Sequence, residues 1–216
     1  MSRYFAKGRE PVSSYTHFWG AIGGLAATAL LAVRSIVQGN SGLVLAGCLL
    51  FGLSLVALYS ASSVYHYARC AAPGLRRLRK LDHAMIYVLI AGSYTPFCVA
   101  YMQPGRRELF LGGLWVAAVL GILFKLVWLD APRWIGTLIY LAMGWSILLD
   151  FSSFASMPGA CLALVAAGGV CYTVGAVFYI AKWPNINQQW GFHELFHLFI
   201  LAGSLMHFLA VFLFVA

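Results

Sequence analysis

The chain has 216 residues, of which 62% are hydrophobic and 9% are charged, and its formal net charge is +8. Soluble domains carry about 25% charged residues, so this composition excludes an ordinary water-soluble domain. Apolar runs of about 20 residues recur along the whole length, and each is long enough to span a bilayer. We therefore predict an all-α, polytopic membrane protein that forms a single domain over residues 1–216.

We predict seven membrane-spanning helices that form one bundle. A short polar tail of about residues 1–16, with the basic residues Arg3, Lys7 and Arg9, precedes the first helix. The glycine-rich run Gly20–Gly24 in the first helix predicts close packing against a neighbouring helix. In chain order the predicted helices cover about 17–37, 42–67, 81–102, 108–129, 134–151, 159–181 and 192–216.

The positions of lysine and arginine predict the orientation of the bundle. With the N-terminus in the cytoplasm, eleven of the fourteen basic residues lie on the inner side if Lys125 is included. Arg34, Arg106 and Arg107 lie on the outer side. Cytoplasmic loops are rich in lysine and arginine, so we expect a cytoplasmic N-terminus and an external C-terminus. This topology explains the positive charge better than binding to nucleic acid does, so we expect no nucleic-acid partner.

Two histidines open the last predicted helix, in the sequence GFHELFH from Gly191 to His197. His193 and His197 are four residues apart, which places both imidazoles on one helix face, where they can share a metal ion. Histidine and glutamate side chains are costly to bury at the start of a membrane-length helix. We therefore treat this segment as a candidate functional site.

Other polar side chains are expected at the same membrane depth. His66 ends the second helix and Asp82 begins the third, on the same side of the membrane as His193 and His197. Three imidazoles with an open fourth position describe a catalytic zinc centre, so Zn²⁺ is the predicted cofactor. Asp82 would act as a base near the metal, and Ser62, one turn before His66, could orient a water molecule or an oxyanion. The alternative is that each histidine is an interfacial residue paired with a neighbour.

The segment also fits the short metalloprotease pattern H-E-x-x-H, in which the glutamate is the general base. The last helix contains no further acidic residue that could complete such a site. Glu194 could equally face lipid headgroups or basic loops.

The other histidines have weaker claims on the site. His17 could be a partner of the metal ligands or an interface residue, and the sequence favours neither. His83 points about 100° away from Asp82 on a helix, which favours a packing role. His207 lies about 15 Å deeper than His197, so we expect it to form a hydrogen bond between helices. The five cysteines form no C-x-x-C motif, and we assign no disulfide.

Taken together, these elements resemble the hemolysin III family, the bacterial branch of the progestin and adipoQ receptor superfamily, which is distantly related to alkaline ceramidases. The resemblance covers essentially the whole chain. It rests on YTHFWG from Tyr15, SSVYH from Ser62, LDH from Leu81, GSYTP from Gly92, HELFH from His193 and the segment from Gly203 to His207.

The resemblance implies that His66, His193 and His197 bind zinc, with Ser62 and Asp82 beside them. It also implies seven helices in a bacterial inner membrane, with the N-terminus on the cytoplasmic side. The superfamily includes proteins thought to be zinc-dependent hydrolases of ceramide-like lipids, and its bacterial members are linked to haemolysis and membrane homeostasis.

Three functions follow as hypotheses. The first is a zinc-dependent hydrolase of a lipid amide or ester, with membrane lipids as partners and a lipid as substrate. The second is a non-catalytic, zinc-stabilised sensor or regulator of the membrane. The third is a cytolytic haemolysin. The sequence leaves open whether there is turnover, which lipid is the substrate, and the oligomeric state.

Overall fold

The computed structural model describes residues 5–216, so Arg3 of the predicted tail lies outside the described residues. In this part of the chain all regular structure is helical, and seven helical segments are long and apolar enough to cross a membrane. The predicted all-α, seven-helix class is therefore confirmed. The helices are α1 (Pro11–Val37), α2 (Gly42–Tyr67), α3 (Ala72–Tyr101), α4 (Arg106–Val127), α5 (Arg133–Gly144), α6 (Gly159–Ala181) and α7 (Phe192–Phe214).

The structure corrects two helix starts. α1 begins at Pro11 and not near residue 17, so the tail is shorter than the predicted 1–16. α3 begins at Ala72, with a proline in its first turn, and not near residue 81. The basic residues between 76 and 80 are therefore helical, although their charge had suggested a loop. An apolar run identifies only the part of a helix that lies in lipid. Hydropathy therefore does not predict a polar helical extension at the end of that run.

The fifth span combines two kinds of helix. α5 ends at Gly144, and a 3₁₀ stretch from Ser146 to Phe154 continues the span. Asp150 interrupts this stretch with non-helical backbone angles, φ −141° and ψ 50°. The predicted helix 134–151 is therefore correct as a span but wrong as one regular α-helix.

Glycines allow α1 to approach its neighbours closely, as the sequence predicts. A Cβ atom on Gly20 would lie 2.9 Å from Cγ of Tyr59 on α2, and one on Gly24 would lie 3.2 Å from the backbone nitrogen of Val56. α1 also contacts α7, which in turn packs against α6. This packing brings α1, α2 and α7 together, and these are the helices that carry the histidines of interest.

Hydrogen bonds between helix ends define two ends of the bundle. At one end, the backbone N–H of Glu10 donates to the carbonyl of His66 at 2.9 Å, joining the start of α1 to the end of α2. At the other, the hydroxyl of Tyr101 donates to the carbonyl of Phe214 at 2.8 Å, joining the ends of α3 and α7. We call the first the basic end, because the arginines and lysines of early α3 and late α4 also lie there.

Candidate metal centre

Three histidines converge at the basic end of the bundle. His66 comes from the last turn of α2, and His193 and His197 come from the first turns of α7. One ring nitrogen of each lies within 4.8 Å of the others, and Nε2 of His66 is 3.4 Å from Nε2 of His193. The structure therefore brings the three predicted ligands together.

This spacing fits a metal ion bound by imidazole. Tetrahedral zinc with nitrogen ligands at about 2.0–2.1 Å separates those nitrogens by about 3.3 Å. Only histidines belong to this cluster among the described residues, so they would fill three of the four positions of a tetrahedral ion. Neutral imidazoles with one open position suit zinc better than hard cations such as Mg²⁺ or Ca²⁺, which prefer oxygen ligands.

Glu10 orients one of the three histidines. Its carboxylate accepts a hydrogen bond from Nδ1 of His66, which leaves Nε2 of His66 facing His193. Burial raises the pKa of Glu10, but the hydrogen bond and charge of His66, together with Arg9, outweigh burial and hold that pKa below its ordinary value. A carboxylate behind a ligating imidazole fixes the ring and increases its basicity. No pattern in the sequence predicts this role, because Glu10 lies outside every apolar run.

His17 supports a second histidine. Its ring stacks on that of His197, with centroids 3.7 Å apart and an interplanar angle of 11°. His17 is buried, and neither of its ring nitrogens forms a hydrogen bond with a described residue. Of the two roles that the sequence left open, the structure places His17 inside the bundle and directly against a candidate ligand.

Glu194 has a structural role at the start of α7. Its carboxylate accepts hydrogen bonds from the backbone N–H of Gly191 at 3.0 Å and from the hydroxyl of Ser13 at 2.8 Å. One carboxylate oxygen therefore caps α7 while the other ties α7 to α1. These contacts disfavour the protease interpretation, in which this glutamate would have to activate water.

Asp82 and Ser62 face the same space as the histidines. Both are buried, and both line a cavity of about 140 Å³ together with His17, His193 and His197. Oδ2 of Asp82 lies 3.5 Å from Nδ1 of His83, which also lines the cavity. Asp82 is not part of the histidine cluster, so its position fits a group that acts beside the ligands rather than a ligand itself.

A second cavity extends the first toward the opposite end of the bundle. It has a volume of about 250 Å³ and a mainly aromatic and aliphatic lining. The two cavities share five lining residues, Ser93, Gly144, Trp145, Gly169 and Tyr172. The histidines thus stand at the polar end of a path whose remaining walls are largely apolar.

The two remaining histidines lie outside the cluster. Nε2 of His207 lies 3.3 Å from the carbonyl of Val165, which joins α7 to α6 and confirms the predicted hydrogen bond between helices. Nδ1 of His83 donates to the carbonyl of Arg79 at 2.8 Å within α3. His83 therefore has a local partner, although it also borders the first cavity.

Comparison with known proteins agrees with this architecture. The sequence model of a family described as "Haemolysin-III related" matches residues 5–208. The chain belongs to the haemolysin III-related family. The match covers α1 to α6 and α7 as far as residue 208, including both histidine-bearing segments, so membership applies to the bundle and identifies a multi-pass bacterial membrane protein.

Relatives of this haemolysin III-related chain occur in bacteria and animals. It is 33% identical to "Hemolysin-3" of Bacillus cereus over 208 residues, which cover 95% of this chain and 91% of the relative. It is 32% identical to "Hemolysin-3 homolog" of Bacillus subtilis (strain 168) over 203 residues, with 94% and 92% coverage. It is 26% identical to "Monocyte to macrophage differentiation factor" of Homo sapiens over 166 residues, with 75% and 67% coverage. No solved structure matches the chain.

Proposed function

We propose that this protein binds zinc through His66, His193 and His197 and hydrolyses an amide or ester bond of a membrane lipid. The observation that carries the proposal is the position of the histidine cluster. It lies beside a buried aspartate and a buried serine, at the polar end of a largely apolar cavity. A lipid could place its acyl chain in the apolar part and its scissile carbonyl at the histidines.

The residues around the cluster have distinct roles in this proposal. Zinc bound there would supply a Lewis acid that polarises a carbonyl group and activates water. The carboxylate of Asp82 accepts a proton from the attacking water and returns it to the leaving nitrogen or oxygen. The hydroxyl of Ser62 donates a hydrogen bond to the substrate oxygen as negative charge develops on it. Water thereby adds across the acyl bond and yields a fatty acid together with an amine or alcohol.

The distribution of charge supports an orientation for this reaction. The basic end of the bundle carries most of the lysines and arginines, which favours its location in the cytoplasm. The N-terminus would then be cytoplasmic, the C-terminus would be external, and the histidine cluster would lie at the depth of the inner leaflet headgroups.

A second function is supported by the same helix ends. The histidine cluster joins α2 to α7. The hydrogen bonds from His66 to Glu10 and from Ser13 to Glu194 join the start of α1 to both helices. Zinc could therefore stabilise a non-catalytic sensor or regulator of the membrane. The name of the Bacillus cereus relative raises a third function, cytolysis. A pore would favour polar side chains along several helix faces, whereas here they concentrate at the basic end.

Metal content and product analysis separate the hydrolase from the sensor. We expect about one zinc ion per chain by mass spectrometry of detergent-purified protein, and release of fatty acid from ceramides or glycerolipids in mixed micelles. Asp82→Asn should keep the metal, because Asp82 is outside the cluster, and should reduce turnover by about 100-fold or more, as expected for loss of a general base.

Asp150→Asn is the matched control for this experiment. Asp150 pairs with Arg106 at 3.3 Å at the opposite end of the bundle and does not line either cavity, so its loss should leave turnover intact. Equal loss in both variants would remove Asp82 from the mechanism. Zinc without any lipid hydrolysis would favour the sensor, and protein purified without chelator that holds no metal would contradict both functions.

A further inference from the structure

Three cationic side chains border the first cavity beside the candidate metal centre. Arg79 comes from early α3, Lys125 from late α4 and Arg133 from the first turn of α5. All three line the cavity that also contains Asp82 and His193. Topology alone explains basic residues near the membrane surface. It does not explain why three helices direct positive charge into one cavity.

Lys125 is the most unusual of the three. Only 4% of its surface is exposed, and it forms no ion pair or hydrogen bond with another described residue. Its ammonium group lies 5.4 Å from the ring centroid of Phe124. A Cβ atom on Gly136 would lie 2.7 Å from its Nζ, so glycine at that position leaves room for the ammonium group. A buried ammonium is costly unless an anion accompanies it.

The positive charges of the two arginines that border this cavity are not fully neutralised by carboxylates. Arg79 shares the single carboxylate of Asp130 with Arg76, at 3.0 and 2.8 Å. Arg133 lies over the rings of Tyr179 and Phe192, at 5.0 and 5.4 Å, and has no carboxylate partner among the described residues. Asp82 is the acidic side chain in the cavity lining, so cations outnumber it.

We propose that Arg79, Lys125 and Arg133 bind the phosphoryl group of an anionic membrane lipid. Guanidinium groups form paired hydrogen bonds with phosphate oxygens, and an ammonium adds a point charge, so this set suits a group of charge near −2. The site lies where α4 ends and α5 begins, at the depth of headgroups, and the adjoining cavities are apolar. A role for this anion site in a reaction rests on the proposed function. In that reaction the substrate is a lipid amide or ester with a phosphorylated headgroup.

Binding can be measured without turnover. The protein in nanodiscs of phosphatidylcholine would be titrated with phosphatidate, with diacylglycerol of the same acyl chains, and with inorganic phosphate. We expect phosphatidate to bind at least ten times more tightly than diacylglycerol. Lys125→Met should weaken phosphatidate binding about 10-fold or more, as expected for loss of a charge-assisted contact, and should leave diacylglycerol binding unchanged.

Two further variants sharpen the test. Lys182→Met removes the same charge from an exposed residue at the same end of the bundle, and it should leave phosphatidate binding unchanged. Gly136→Ala keeps the charge of Lys125 but displaces its ammonium group, so it should weaken binding by a smaller factor. Equal phosphatidate affinity in Lys125→Met and the unchanged protein would overturn the site. If inorganic phosphate bound in a Lys125-dependent way and phosphatidate did not bind, the site would recognise free phosphate. That result would overturn the proposed lipid ligand.

The outcomes also separate this site from the proposed hydrolase. Phosphatidate binding that depends on Lys125, without hydrolysis of any lipid, would support the anion site and contradict the hydrolase. Hydrolysis of neutral ceramide that is insensitive to Lys125→Met, without preference for phosphatidate, would support the hydrolase and overturn the anion site.

Discussion

The carboxylate of Glu10 is the contact that most directly affects a candidate ligand. It accepts a hydrogen bond from Nδ1 of His66, and outer carboxylates of this kind change metal affinity when they are removed. We expect Glu10→Gln to lower zinc affinity about 10-fold or more, because the amide keeps the shape but loses the negative charge. Competition with a fluorescent zinc chelator would measure the change.

Glu108→Gln provides the control for this substitution. Glu108 caps the start of α4 at the opposite end of the bundle, where its carboxylate accepts a hydrogen bond from the backbone N–H of Gly105. Its replacement should leave zinc affinity unchanged. If Glu10→Gln binds zinc as tightly as this control, the carboxylate does not support the metal centre.

The residues of the candidate metal centre and of the proposed anion site differ in how far the sequence could predict them. His193 and His197 carry a local signal, because their spacing alone places them on one helix face. Glu10 and Lys125 carry no such signal. The role of Glu10 depends on its contact with a residue 56 positions away, and that of Lys125 depends on the space left by Gly136 on another helix.

At the scale of the helices, the position of α1 depends on a close approach at Gly20. A Cβ atom there would lie 2.8 Å from Cδ2 of Leu201 and 2.9 Å from Cγ of Tyr59. Gly20→Ala should therefore destabilise the bundle by about 1–3 kcal/mol through overpacking. It should also disturb the stacking of His17, one turn earlier, on His197. Thermal unfolding in detergent, followed by circular dichroism, would measure the loss.

Gly23→Ala is a matched control on the same helix. Nothing lies within 4 Å of a Cβ atom at Gly23, and alanine favours a helix by about 1 kcal/mol over glycine. This variant should be as stable as the unchanged protein or more so. Equal melting temperatures for the two alanine variants would argue against the close contact at Gly20.

The accuracy of each predicted helix depends on whether its ends coincide with a change in polarity along the sequence. α2 and α6 have the predicted bounds of 42–67 and 159–181, because an abrupt change in polarity coincides with each helix end. α3 and α5 differ from prediction for physical reasons. The polar start of α3 is helical outside the apolar run, and the change to 3₁₀ geometry after Gly144 has no counterpart in hydropathy.

For the whole molecule, polarity is arranged from one end of the bundle to the other. Large apolar side chains such as Val37, Leu109 and Val127 are exposed on the helix surfaces, as lipid contact requires. The histidine cluster, Asp82 and the cationic residues collect at the basic end, and apolar cavity walls lead away from them. Composition predicts the apolar exterior. It does not predict the internal cavities, which depend on how the helices pack.

Removal of metal should therefore affect the stability of the entire bundle. The cluster connects α2 to α7 and, through Glu10, to α1. A ligand that binds only the folded state stabilises it by about 2.7 kcal/mol at a free concentration 100 times its Kd. We expect a chelator to lower the melting temperature of the unchanged protein by several degrees, and added zinc to restore it.

His197→Ala should melt at the lower temperature and show no response to either treatment. His207→Ala, which removes a histidine outside the cluster, should keep the full response to zinc. If the unchanged protein binds zinc but melts at the same temperature with and without it, the metal does not hold these three helices together.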